Sequence, residues 1–117
     1  MKYLCLIYSP EIHWASMAKS ELDTTMAEYN AYTASIKASG HYLGGDALKP
    51  TSTATTLRVR NGKLSATDGP FAVTKEQLGG YYLIEAKDLN DAMAVAARIP
   101  SVKIGSIEVR PIETFGG

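Results

Sequence analysis

Asp68 stands in the run Asp68-Gly69-Pro70-Phe71, where a carboxylate precedes two turn-forming residues. A carboxylate held in a turn beside a cavity can act as a general base. Aspartate also opens turns for a structural reason, because its side chain accepts a hydrogen bond from the backbone two residues on. The sequence leaves both interpretations open, and the structural one is the commoner.

His41 is the second candidate for proton transfer, since histidine can carry protons near neutral pH. It directly follows a predicted helix, where a positive ring is also favoured for structural reasons. His13, the other histidine, lies beside Trp14, and neither has Cys, Asp or Glu at metal-ligand spacing around a second histidine. The glycine pairs lack a phosphate-binding pattern. We therefore expect neither a metal site nor a cofactor.

Charged residues alternate with aliphatic ones on two predicted strands. If Ile107 and Val109 pack beneath the helices, then Glu108 and Arg110 lie on the opposite side of the sheet, and Glu85 on its own strand does the same. Charges on a covered face must be paired or hydrated. These residues either line a polar ligand pocket or form ion pairs across a subunit interface, and both interpretations stay open.

Arg58, Lys75 and Tyr82 complete the candidate ligand-binding set. Arg58 can hold an anion, and Lys75 either extends over a pocket as a lid or belongs to a solvated turn. Tyr82 is one of 7 tyrosines, and such amphipathic aromatic residues suit a ligand pocket and a subunit interface equally well.

The elements that position these residues are predicted from periodicity and turn signals. In the first half they are an apolar strand at 2–8, a loop with Trp14 as an anchor at 11–19, a helix at 20–39 and a strand at 41–48. Ser20 is the predicted N-cap, and Gly40 ends the helix because glycine enters the left-handed conformation freely. Gly44-Gly45 indicates a bulge in the strand.

The second half begins with a hairpin, because Asn61-Gly62 between two β-branched runs is the preferred two-residue turn. An amphipathic helix capped by Asp88 is predicted from the spacing of its apolar residues. The predicted elements are strands at 53–60 and 63–67, an irregular or helical segment at 71–78, a strand at 81–86, a helix with the apolar stripe Leu89, Ala92, Met93, Ala96 and Ala97, and a strand at 103–110.

This order predicts an α+β fold, the split βαβ arrangement of ferredoxin-like proteins with an inserted β-hairpin. Both helices then cover one face of an antiparallel sheet. The other face stays uncovered although its strands are apolar, so we predict a homodimer joined sheet to sheet.

Composition limits the partners. The chain has 117 residues, 45% apolar and 21% charged, with a net charge of zero. We predict one domain over residues 1–117 and no nucleic-acid partner, since there is no excess of basic residues. The single Cys5 in an apolar run favours a reducing compartment, and no stretch is long enough to span a membrane. We therefore expect a cytoplasmic protein without a membrane partner.

Three segments together resemble one protein family. They are Asp68-Gly69-Pro70-Phe71, Thr74-Lys75-Glu76-Gln77-Leu78-Gly79-Gly80-Tyr81-Tyr82 and Ile107-Glu108-Val109-Arg110-Pro111. The chain resembles the YCII-related family, in particular its DGPF branch, from the first strand to Pro111. The resemblance implies a dimeric α+β barrel of ferredoxin-like protomers. It implies no reaction, although many members of the branch look like companions of alternative sigma factors.

The chain departs from the family pattern at two places. Ala72-Val73-Thr74 stands where the branch usually has Ala-Glu-Thr, so any role of that acid is absent. The better-known YciI-like branch is thought to use a histidine on the first helix with an aspartate before a late proline. Here that helix carries Glu28-Tyr29, and Ile99 precedes Pro100, so this acid–base pair is not carried over.

Two functional hypotheses follow. The first is a dimeric protein that binds a small molecule, and that acts as a cofactor-free acid–base enzyme if Asp68 or His41 moves a proton while Arg58 or Arg110 holds an anion. The alternative is a non-catalytic binding or regulatory module linked to a transcription factor, which predicts an exposed apolar patch outside the subunit interface.

Overall fold

Four antiparallel strands form the main sheet, in the order β2-β5-β1-β6, and two more strands form a separate hairpin. The computed structural model describes residues 1–115. The elements are β1 (Lys2–Ser9), α1 (Glu11–Ala15), α2 (Lys19–Ala38), β2 (Tyr42–Ala47), β3 (Thr55–Arg60), β4 (Lys63–Asp68), β5 (Gln77–Glu85), α3 (Leu89–Ala96) and β6 (Ser106–Pro111), with short 3₁₀ helices at Thr51–Thr53 and Pro100–Lys103. This confirms the predicted ferredoxin-like α+β fold with an inserted hairpin.

The core lies between the sheet and the two long helices. Tyr3, Cys5 and Ile7 of β1 are buried on that side, and Cys5 pairs in register with Tyr82 of β5. Ile36 of α2 packs into the same cluster. Since side chains alternate along a strand, the intervening residues of β1 face the other way and are only half-buried. In the single chain β1 is thus covered on one face, and its other face is the one assigned to the predicted subunit interface.

Helix α2 ends as predicted but begins differently. Gly40 has a φ of +82° and terminates the helix after Ala38. The predicted N-cap was wrong: Ala18 is the N-cap residue, and Ser20 lies inside the first turn. The Ser20 carbonyl accepts a hydrogen bond from Thr24 Oγ1. The helix therefore starts one residue earlier and without a side-chain cap.

The segment after β1 is not the predicted loop, because Glu11–Ala15 forms a single helical turn. A helix this short has too few residues for a periodic pattern, and contacts elsewhere hold it in place. Trp14 Nε1 donates to Ser9 Oγ over 2.8 Å, and Gln77 Oε1 accepts from the Glu11 backbone amide over 2.9 Å.

The hairpin β3–β4 is built as the sequence predicts. Asn61 and Gly62 both have positive φ values, as a type I′ turn requires. Leu57 and Val59 share one face with Leu64, and their exposed fractions are 62%, 58% and 69%. Both faces of this hairpin are therefore open to solvent within the described chain.

Helix α3 begins at the predicted cap, since the Asp88 carboxylate accepts from the Asp91 amide over 2.9 Å. The predicted apolar stripe is partly wrong: Val95 is buried beside Ala92 and Ala96, whereas Leu89 and Met93 are about half exposed. The buried face of α3 thus consists of Ala92, Val95 and Ala96, which belong to the core cluster.

The last strand starts at Ser106, three residues later than predicted, because Pro100–Lys103 forms a 3₁₀ helix. Gly105 then passes so close to β1 that an added Cβ would lie 1.9 Å from the Tyr8 carbonyl oxygen. Residues 71–76 form no helix, which agrees with the irregular alternative for that part of the predicted segment 71–78. The predicted start of the next strand was wrong: β5 begins at Gln77, four residues before the predicted strand at 81–86. None of the helices within residues 1–115 has the length and apolar character needed to cross a bilayer.

Candidate functional site

A cavity of about 700 Å³ lies between the sheet and the N-terminal half of α2. Its volume is within the range of small-molecule sites, roughly 300–1,000 Å³. The wall consists of residues from β1, α1, α2, β2 and β5, with the loop after β2 at one side. Its apolar and aromatic residues include Trp14, Leu22, Met26, Tyr29, Leu48, Leu78 and Tyr82.

The cavity exists because the sheet carries small residues at this end. Gly45 and Ala47 alternate on β2, and Gly80 of β5 pairs in register with Ala47. These three residues form the floor of the cavity. At the other end of the same face, Tyr3 and Ile84 fill the space beneath the helices. Helix α2 therefore spans a filled core at one end and an open volume at the other.

Glycine is required at position 45 because the Tyr82 ring packs closely against the backbone there. A Cβ at this position would lie 2.8 Å from Cδ1 of Tyr82 and 2.8 Å from the Tyr81 carbonyl oxygen. At Gly80 an added Cβ would lie 3.0 Å from the Asp46 carbonyl oxygen. The bare backbone of β2 thus allows the Tyr82 ring to lie across it, and the ring becomes part of the cavity wall.

Two tyrosine hydroxyl groups of the aromatic wall are bonded to protein partners. Tyr82 and Thr33 share a hydroxyl–hydroxyl hydrogen bond of 2.7 Å, and Tyr29 bonds to Ser101 in the same way. Burial raises the pKa of both Tyr29 and Tyr82. Both phenols are therefore neutral at physiological pH, and the wall offers mainly apolar ring surface.

Three charged residues contribute to the wall, and two of them have partners. Both carboxylate oxygens of Glu11 accept from Thr51, one of them from its backbone amide over 2.9 Å. Asp46 accepts from the Tyr81 hydroxyl over 2.8 Å, and this hydrogen bond raises the pKa of Tyr81. Lys49 has no carboxylate within 4.0 Å among residues 1–115.

Tyr82 is the one residue of the predicted site set that lines this cavity. Asp68 ends β4 and is exposed, and Lys75 is exposed in the irregular segment before β5. Arg58 lies on the hairpin with its guanidinium 5.4 Å from the centre of the Phe71 ring. These three side chains are spread along the inserted region and do not meet in one place.

The charged strand residues lie on the sheet face opposite the cavity. Glu108 and Arg110 pair in register with Leu6 and Leu4, and they form an ion pair with each other. Glu85 lies 3.3 Å from the N-terminal ammonium group. The structure therefore brings Glu108 and Arg110 together but separates them from the cavity.

His41 lies where the end of α2 meets the start of α3. Its Nδ1 is hydrogen-bonded to Ser39 Oγ over 2.7 Å, and its Nε2 to Asp91 over 3.1 Å. The Lys87 amide donates to Asp91 over 3.0 Å. This amide and the His41 hydrogen bond lower the pKa of Asp91 against the opposing effect of desolvation. The hydroxyl–imidazole–carboxylate chain can relay a proton, and it also ties the two helices together.

The sequence interpretation missed Trp14, Tyr29, Leu48 and the glycine floor as parts of one site. The signal that could have found them is the pair of glycine doublets, Gly44-Gly45 and Gly79-Gly80, which leave adjacent strands without side chains. Among residues 1–115, no group of three His, Cys, Asp or Glu side chains is placed to hold a metal ion.

Comparison with known proteins agrees with this architecture. The model of the YCII-related domain family matches residues 1–116. An uncharacterised protein of Rhizobium meliloti (strain 1021) is 35% identical over 117 residues, covering 98% of this chain and 94% of the relative. Both similarities span nearly the whole chain. The chain therefore belongs to the YCII-related domain family.

Proposed function

We propose that this protein binds a small, mainly apolar molecule in the cavity beneath α2. The observation that carries the proposal is the partly open cavity of about 700 Å³ with an aromatic and aliphatic wall. Concave, mainly apolar volumes of roughly 300–1,000 Å³ are typical of small-molecule sites. The lining is mainly apolar, so the wall favours an apolar ligand over a sugar or another polyol.

Binding of a neutral fluorescent probe, N-phenyl-1-naphthylamine, tests the proposal. We expect saturable binding of one probe per chain. Ala47→Phe places a ring over the glycine floor and should abolish this binding. Ala66→Phe is the matched control, because it introduces the same side chain on an exposed strand outside the cavity lining. Absence of saturable binding, or equal binding by both variants, would contradict the proposal.

If the protein also acts as a cofactor-free acid–base enzyme, we propose that His41 or Asp68 transfers the proton. His41 is the better supported of the two, because its ring is held between a hydroxyl group and a carboxylate. A ligand that reaches this ring should shift its NMR signals on binding, and Asp91→Asn should alter that shift. If saturating ligand leaves the His41 signals unchanged, the ring takes no part in the site.

We propose that two chains associate through the uncovered face of the sheet, as the resemblance implies. That face carries Leu4, Leu6 and Leu83, all about half-buried in the single chain. Apolar surface of this extent favours association. Sedimentation should give twice the chain mass, and Leu6→Arg should give the single-chain mass. A wild-type protein that stays monomeric at high concentration would contradict this assembly.

The regulatory alternative rests on the hairpin. Leu57, Val59 and Leu64 form an exposed apolar patch on one side of β3–β4, which is the kind of surface that a partner protein covers. Titration with an alternative sigma factor of the same organism should give saturable binding that Leu64→Thr weakens. An unchanged affinity in this variant would exclude the patch as the contact.

The match to the Asp68–Phe71 signature supports membership of the DGPF branch, where such partners are suspected. The buried Cys5 supports a cytoplasmic location.

A further inference from the structure

The charged residues that line the cavity differ in whether another protein group already contacts their charged atoms. Glu11 uses both carboxylate oxygens on Thr51, and Asp46 accepts from the Tyr81 hydroxyl. Lys49 is the single cationic side chain among the lining residues, and within residues 1–115 it has no acidic partner. Lys49 is therefore the one charged lining residue without an ion-paired or hydrogen-bonded protein partner among residues 1–115.

The neighbours of Lys49 are apolar. Leu48 and Pro50 flank it in the loop after β2, and both line the same cavity. Lysine side chains keep their charged end in water while their methylene groups cover apolar surface. The ammonium group can thus remain hydrated at the rim and contact one end of a molecule whose body lies against Trp14 and Tyr82.

We propose that the natural ligand is an apolar molecule with one anionic end, a carboxylate, which pairs with Lys49 while the apolar body occupies the glycine-floored cavity. This inference rests on the proposed small-molecule binding and specifies its ligand class. An amine is disfavoured because it would meet the like charge of the Lys49 ammonium group, and a polyol is disfavoured because the lining is mainly apolar.

Three probes with the same ten-carbon chain separate charge from apolar contact. They are decanoate, decanol and decylamine, each used below its aggregation concentration. Trp14 is the only tryptophan of the chain and lines the cavity, so its fluorescence reports occupancy directly. We expect decanoate to bind about fivefold more tightly than decanol, the size expected of an ion pair at a partly exposed site. Decylamine should bind most weakly.

Lys49→Met should remove the preference for decanoate over decanol, and Lys49→Arg should retain it. Lys63→Met is the matched control: it removes an exposed lysine of the hairpin, outside the cavity lining, and should leave the preference unchanged. Equal affinities of the wild-type protein for all three probes, or a preference that persists in Lys49→Met, would overturn the inference and leave small-molecule binding intact. If none of the probes, decanol included, binds saturably, the proposed function fails and the inference fails with it.

Discussion

Truncation of two apolar residues on the same helix tests whether the cavity is open in solution. Ile36 is completely buried at the filled end of the core, whereas Met26 is 50% exposed and faces the cavity. Ile36→Ala should lower the free energy of unfolding by about 2–5 kcal/mol, because it removes buried methyl groups and leaves a void. Full burial of a methionine contributes about 1.5–3 kcal/mol. Since Met26 is half exposed, we expect Met26→Ala to cost only about 1 kcal/mol.

Urea unfolding followed by circular dichroism measures this difference. With a denaturant dependence of about 1–3 kcal/mol per molar urea for a domain of this size, Ile36→Ala should unfold at a midpoint roughly 1 M below that of Met26→Ala. Both variants place alanine in α2, so helix propensity affects them similarly. Protein concentration must be held constant, because the proposed subunit association would add to stability. Equal destabilisation by both substitutions would refute the reasoning, since it would mean that α2 packs tightly along its whole length and that no cavity is present.

Three further outcomes are expected. Gly45→Ala should lower the free energy of unfolding by about 1–3 kcal/mol, because its Cβ would overlap the Tyr82 ring. Gly44→Ala, which meets nothing within 4 Å, should have little effect, and equal thermal midpoints for the two variants would exclude the packing argument. Asp91→Asn should destabilise the protein at neutral pH. The pKa of Asp91 is lowered in the folded state, so its contribution is present above the ordinary carboxyl pKa and is lost as the pH falls through the folded value. The difference in thermal midpoint between wild type and variant should therefore shrink in acid, and a constant difference would contradict the assignment. Burial raises the pKa of the Cys5 thiol to about 11, so a thiol reagent should label the native protein only as fast as it unfolds, and rapid labelling would count against a closed core.

The fold could be predicted from sequence wherever a local signal and the global order agree. Asn61-Gly62 specifies a two-residue turn with both φ values positive, and Asp88 caps a helix through its own side chain. The alternation of strands and helices then leaves few possible sheet orders, and the ferredoxin-like one is observed. The short helix at Glu11–Ala15 and the 3₁₀ helix at Pro100–Lys103 were not predicted. Each is about one turn long, so tertiary contacts rather than periodicity determine its conformation.

The site could not be predicted in the same way, because the cavity exists where the sheet carries glycine and alanine instead of large side chains. Leu22 and Met26 lie on the face of α2 that lines the cavity, but helix periodicity alone cannot say whether anything lies opposite them. That depends on the register between β2 and β5, which pairs Gly45 with Tyr82 and Gly80 with Ala47. These pairs join residues more than thirty positions apart in the chain, and no local pattern specifies them. A charged residue in a turn, such as Asp68, can be proposed as a functional residue from the sequence alone. The role of a glycine on a strand can be inferred only when its neighbour across the sheet is known. In this fold, then, a register that places glycine and alanine beneath an amphipathic helix is a better indicator of a binding site than the number of charged residues on its strands.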